Sequence, residues 1–170
     1  MAIQMIFCLE TNKRADTDYI YISEVLDYLY QKSNQVKISP IYMGTKTKYQ
    51  SKDVLQEIRK RTREYIHGET KVIYCIDTDE YEKISEHANA FQNIRQFCEE
   101  KGYELIWFCH DVEEVFVGKK ISDSQKVQTA KAFRRNKDVE KLSQDRLSEE
   151  EPKSYASNIL RILDQYLERK

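Results

Sequence analysis

The sequence predicts an α/β domain with a largely parallel sheet, on three observations. Short apolar runs rich in β-branched and aromatic residues alternate with longer stretches of helical periodicity, in the order strand, helix, strand, helix, strand, helix, strand. The run Val72-Ile73-Tyr74-Cys75-Ile76 is apolar throughout and too short for a typical helix, as expected of a strand buried on both faces. Acidic residues also follow the strands directly: Glu10 after the first, Asp77, Asp79 and Glu80 after the central one, Asp111, Glu113 and Glu114 after the fourth. Ligands of open α/β sheets bind beyond the carboxyl ends of the strands, and carboxylates gathered there repel one another unless a cation neutralises them.

Ile3 to Leu9, apolar apart from Gln4, reads as the first strand and leads into Glu10 and the polar loop Thr11-Asn12-Lys13-Arg14. Asp16, Thr17 and Asp18 are cap-type residues, after which Ile20, Ile22, Val25, Leu26 and Leu29 recur at helical spacing up to Ser33-Asn34. Val36 to Met43 reads as a strand that is bent or at an edge, because Pro40 cannot donate to a ladder, and Gly44 closes it. The basic loop carrying Lys46, Lys48 and Lys52 enters a helix near Ser51, with Val54, Leu55, Ile58 and Ile66 as its apolar residues and His67-Gly68 as its end. The outer face of that helix bears Arg59, Lys60, Arg61 and Arg63, either as a solvated surface or as part of a phosphate-facing patch.

After the central strand, Ile84 to Lys101 predicts a helix with Ala88, Phe91, Ile94, Phe97 and Cys98 on one stripe, stopped by Gly102. Tyr103 to Cys109 is the fourth strand, and His110 to Gly118 a short helix beyond its end. Lys119 to Lys137 holds seven Lys or Arg against the single acid Asp123, in a helix that turns Val127, Ala130 and Phe133 inward. Residues 138 to 153 are highly charged and read as a mobile link or an exposed helix turn. A last amphipathic helix, Ser154 to Glu168, is expected to pack Tyr155, Ile159, Ile162, Leu163 and Tyr166 on the body. The expected organisation is therefore one α/β domain over residues 3 to 135, with a link and helix over 136 to 170 packing on it.

A chain of 170 residues suffices for one domain with a proper core. With 34% charged residues and a net charge of -1, a uniformly basic nucleic-acid binder is excluded while a locally basic groove is not. Cys8, Cys75, Cys98 and Cys109 stand in apolar surroundings without paired spacing, which favours reduced buried thiols over disulfides and gives no recognisable zinc pattern. The first apolar run is too short for a signal peptide, and no stretch approaches membrane-spanning length, so the expectation is a soluble, cytoplasmic protein with no membrane partner.

A glutamate ending the first strand and an Asp-x-Asp ending a later parallel strand together resemble the TOPRIM domain of topoisomerases, primases and OLD-type nucleases. More closely, the chain looks like the RloB-like branch of that superfamily, found beside restriction and phage-defence genes. Cys8, Glu10, Thr17, Asp18 and Tyr19 correspond to the first motif of that branch, Asp77-Thr78-Asp79 to the second, and His110-Asp111-Val112-Glu113-Glu114 to the third. The resemblance covers roughly residues 3 to 135 and rests on the order of short motifs at strand ends. Thr11 replaces the glycine usual after the motif glutamate, Asp18 replaces a glutamate, and the third motif lacks its Asn-Pro. Either the relationship is a distant one, or the site has drifted toward altered or lost catalysis.

The resemblance implies a single Rossmann-like, TOPRIM-like domain with a mainly parallel four-stranded sheet flanked by helices, and C-terminal helices beside it. Phosphodiester hydrolysis needs an activated water and neutralisation of charge on the phosphate and leaving oxygens, which one or two Mg²⁺ or Mn²⁺ ions held by carboxylates supply. Asp77 and Asp79 are the candidate metal ligands, with Glu10 completing the shell or acting as general base or acid, as the resemblance implies, and Glu114 or Glu113 binding a second ion. The competing reading makes Asp77 and Asp79 caps of the following helix, and Glu113 and Glu114 solvent-facing acids in a first turn. Lys13, Arg14, Lys119 and Lys120 are the candidate nucleic-acid contacts, with Lys46 and Lys48 the weaker candidates. His110 is either a proton donor to a leaving group or simply hydrogen-bonded. The function expected is a Mg²⁺- or Mn²⁺-dependent nuclease acting on DNA or RNA; the alternative is a non-catalytic metal- or nucleotide-binding effector subunit working with a partner ATPase.

Overall fold

A computed structural model describes all 170 residues. Four parallel strands form the body of the sheet: β1 (Ala2–Leu9), β2 (Val36–Tyr42), β3 (Gly68–Asp77) and β4 (Glu104–Cys109). A two-residue strand, β5 (Ala156–Ser157), adds to β4 in the antiparallel sense, and the order across the sheet is β2-β1-β3-β4-β5. The helices are α1 (Thr17–Leu29), α2 (Lys52–Glu64), α3 (Ser85–Lys101), α4 (Val112–Val117), α5 (Lys126–Asn136) and α6 (Ile159–Leu163). No helix is long and apolar enough to cross a membrane.

The alternation of β1 divides the core in two. Met5, Phe7 and Leu9 face one layer, where Ile20, Tyr21 and Val25 of α1 pack with Val115 and Phe116 of α4, Phe133 of α5 and Leu160 and Leu163 of α6. Ile6 and Cys8 face the other, against Val54 and Ile58 of α2 and Phe91, Ile94 and Phe97 of α3. Helices therefore cover both faces, which is why the central stretches of β1, β3 and β4 read as near-continuous apolar runs. Pro40 lies on β2, the edge strand, in register with Phe7. Arg61 turns back from α2 to donate to Ser39 Oγ at 2.8 Å and to the Pro40 carbonyl at 2.7 Å, so this member of the basic row belongs to the packing of the edge.

The α/β class stands, and the differences from the expected elements have local causes. Gly68 does not end the second helix; it opens β3 opposite Ala2, where an added Cβ would lie 1.8 Å from the Ala2 carbonyl oxygen. The segment after α5 is not a free link. A 3₁₀ turn spans Asp138–Lys141, Val139 and Leu147 are buried, and Leu160 N–H donates to the Leu147 carbonyl at 2.9 Å. The expected helix over Ser154 to Glu168 is replaced by β5 and the five-residue α6. Tyr155 has a positive φ of 62° and is half exposed, so it is not part of the apolar face, whereas Ile159, Ile162 and Leu163 are buried. Hydrogen bonds to β4 outweighed helical periodicity here: Asn158 Oδ1 accepts from Trp107 N–H at 2.9 Å, and its Nδ2 donates to the Leu105 carbonyl at 2.8 Å.

Candidate metal site at the strand switch point

The chain leaves β1 for β2 on one side and returns to place β3 on the other, so β1 and β3 are neighbours whose following helices pack on opposite faces. The crevice at such a reversal of strand order is where open α/β sheets bind ligands. Glu10 and Asp77 flank it. Glu10 Oε2 accepts a hydrogen bond from Asp77 N–H at 3.0 Å. Asp77 Oδ1 in turn accepts from Val112 N–H, also at 3.0 Å, which ties the end of β3 to the first turn of α4. Asp79 continues the ladder, its N–H donating to the His110 carbonyl at 2.8 Å, in a left-handed conformation with φ 52°.

Neither aspartate caps the helix that follows them, since α3 begins at Ser85 after Ile84. Asp77 satisfies α4 instead, with Asp111 as the N-cap residue whose Oδ1 accepts from Glu114 N–H at 2.8 Å.

Lys46 joins the acids. It stands in a 3₁₀ turn, Lys46–Lys48, after β2, and its ammonium donates to the Asp77 carbonyl at 2.9 Å, pairs with Asp79, and lies 3.7 Å from Glu10 Oε1. Burial alone would lower its pKa, but Glu10 and Asp79 more than offset this and hold the ammonium charged. Behind this row lie two further carboxyls: Asp18 at the start of α1 is 4% exposed, and Glu113 on α4, an expected alternative to Glu114 for a second ion, is 2% exposed. Glu113 is thus not solvent-facing. It stands three residues before the buried Phe116, which puts both on the inner side of α4. Its nearest cation is Lys126 at 4.0 Å, and its Oε2 is buried without a hydrogen-bond partner.

Burial pushes the pKa of Glu10 up to about 7 against the opposing pull of Lys46, and that of Glu113 up to about 7 against Lys126. Asp18 and Asp77 are raised for the same first reason, then by the charge of Glu10, with Glu113 adding to both. The donors are all oxygen, the type that hard divalent cations take, and include an orphaned acceptor, Glu113 Oε2; without a cation, burial favours the protonated, neutral forms of these carboxyls.

The remaining expected residues fall elsewhere on the rim. Glu114 is not among the Glu10 and Asp77 oxygens; its Oε2 accepts from His110 N–H at 3.1 Å, and it lines a separate polar cleft. Lys120 is on the wall of that cleft, 3.9 Å from Glu80. Lys13, Arg14 and Lys119 are exposed, on the loops after β1 and α4. Sequence reasoning held Glu113 only as an alternative to Glu114 for a second ion, Lys46 only as a weaker nucleic-acid contact and Asp18 only as a motif position, and it did not assign Lys126. Only Glu113 left a signal, its spacing from Phe116.

Fold and site together define an α/β protein with a buried acidic centre at its strand switch point. No protein-family model, no curated protein and no solved structure matches the chain.

Proposed function

We propose that the chain is a Mg²⁺- or Mn²⁺-dependent phosphoryl-transfer enzyme of the TOPRIM type, a nuclease of the RloB-like branch that hydrolyses DNA or RNA in a defence or restriction-linked setting. The observation that carries the reading is the group of carboxyls at the switch point between β1 and β3, with Asp18 and Glu113 buried and Glu10 and Asp77 partly buried. These oxygens, with Asp79 at the rim, are the ones that would hold the cation. When bound, a divalent ion supplies charge neutralisation at phosphate and a more acidic water. The rest falls to side chains of the chain itself. Lys46 holds a fixed positive charge beside Glu10 and Asp79, placed to meet a non-bridging phosphate oxygen. Glu10, its Oε2 anchored on Asp77 N–H, keeps Oε1 for a proton or a ligand. Lys13, Arg14, Lys119 and Lys120 are free to follow a nucleic-acid backbone along the rim.

A second reading, a non-catalytic effector subunit acting with a partner ATPase, is favoured by one observation: Lys46 already neutralises part of the charge that a metal would, pairing with Asp79 and approaching Glu10. Cleavage of single- and double-stranded DNA and RNA with Mg²⁺ or Mn²⁺ separates the two. Asp77→Asn is the suitable comparison, because it keeps an oxygen for Val112 N–H while removing the charge. Metal-dependent cleavage by the wild type that falls at least ~100-fold in the variant supports the nuclease. Absence of cleavage by a wild-type protein whose melting temperature nonetheless rises with Mn²⁺ supports the effector.

A further inference from the structure

Beside the carboxylate centre lies a cleft of about 570 Å³ lined without a single apolar side chain. Its wall includes Glu82 from the loop after β3 and His110 from the end of β4. His110 Nε2 stands 2.9 Å from Glu82 Oε1 and 3.0 Å from Oε2. On its other side Glu114 Oε2 lies 3.4 Å from Nδ1 and accepts the His110 backbone N–H. An ion pair would account for these contacts, but not for the third group present. Cys109, wholly buried, brings its sulfur into the same cluster, so that one ligand atom from each of Glu82, Cys109 and His110 lies within 4.8 Å of the others.

We infer that Cys109, His110 and Glu82 form a binding site for a zinc-class transition-metal ion, distinct from the all-oxygen centre at Glu10 and Asp77. Sulfur, imidazole nitrogen and one carboxylate oxygen form the donor set that a borderline-soft ion selects and that Mg²⁺ does not. Metal–ligand bonds of roughly 2.0–2.3 Å place tetrahedral ligand atoms roughly 3.3–3.8 Å apart, so the three side chains need only small rotations to close on one ion. The imidazole is already oriented for it. Glu114 stands on the Nδ1 side, 3.4 Å away, where a small shift would let it accept from Nδ1 as the outer acid of a carboxylate–histidine–metal arrangement and leave Nε2 to the ion. Three protein ligands leave the fourth position open toward the cleft, the pattern of a site that keeps a water or a substrate oxygen on its metal. Binding deprotonates the Cys109 thiol and releases that proton to solvent. The ligands come from the loop after β3 and the end of β4, 27 residues apart between Glu82 and Cys109, and two of them are sequence neighbours, so no zinc-type spacing marks them.

The test is a titration of the reduced full-length protein with Co²⁺ alone, read by absorbance. The expected result is one Co²⁺ per chain with a near-ultraviolet thiolate-to-cobalt charge-transfer band, displaced by Zn²⁺ and untouched by excess Mg²⁺. Cys109→Ser should abolish the band, and Glu82→Gln and His110→Gln, at partly exposed positions that do not threaten the core, should each weaken binding at least about tenfold. Asp77→Asn should leave the band intact, which keeps this site independent of the carboxylate centre. The inference is overturned if the wild type shows no charge-transfer band, if the band persists in Cys109→Ser, or if both Glu82→Gln and His110→Gln bind Co²⁺ as tightly as the wild type.

Discussion

Glu10 and Glu113 make the stability of this protein depend on pH in an unusual direction. Each carboxyl is raised by burial from an ordinary value of 4.5 to about 7 in the fold. Between those values the folded chain keeps protons that the unfolded chain has released, so stability is highest below pH 4.5 as far as these groups are concerned. It falls as pH rises from there and the loss is complete only once pH has passed through 7. From pH 5.5 to 8 each carboxyl contributes a loss of about 2 kcal/mol, or roughly 4–8 °C in melting temperature for a chain of this size. The metal-free protein should therefore melt lower at pH 8 than at pH 5.5, and Mn²⁺ at about 100 times its Kd should restore about 2.7 kcal/mol at pH 8. A melting temperature that rises from pH 5.5 to 8 without metal would contradict the burial of these acids. At this scale sequence reading reached Glu10, Asp77 and Asp79, because strand-end acids are visible as such. It left Glu113 open between an ion ligand and a solvent-facing acid, because its burial follows from how α4 packs in the core, and it held Lys46 only as a weaker nucleic-acid contact, because its partners lie 31 to 36 residues away.

The elements themselves were mostly legible, since each of β1 to β4 and α1 to α3 carries its own period of apolar residues. Where local signals competed with the sheet, the sheet won. Asn158 shows the mechanism: it occupies the edge of β4 with both ends of its amide and stops β5 after two residues, so the helical spacing of Ile159, Ile162 and Leu163 survives only as the short α6. Asn158→Ala would leave Trp107 N–H and the Leu105 carbonyl without these partners, and should cost about 2 kcal/mol. The expected fall in melting temperature is about 4–8 °C, with metal binding by the acidic centre unchanged. A variant as stable as the wild type would mean that β4 does not rely on this side chain.

For the molecule as a whole, the C-terminal segment is part of the core. Leu147, Ile159, Leu160 and Leu163 are buried. The chain end is also tied to α1 through Tyr30 Oη donating to Asp164 at 2.7 Å and Lys170 N–H donating to the Leu29 carbonyl at 3.0 Å. At about 2 kcal/mol for each of these four leucine or isoleucine side chains, their removal approaches the whole stability of an ordinary domain. A chain ending at Leu142 should show no cooperative thermal transition by circular dichroism; a sharp melt would make the segment dispensable. By itself the sequence determined the α/β class, the order of elements and the presence of acids at three strand ends, because these depend on the side-chain period within one segment. Only the tertiary structure decided that β1 lies beside β3, that Glu10 therefore meets Asp77, that Lys46 and Glu113 join them, and that Cys109 and His110 meet Glu82. Those encounters depend on which crossover packs on which face, a balance of burial over the whole chain that no local pattern contains.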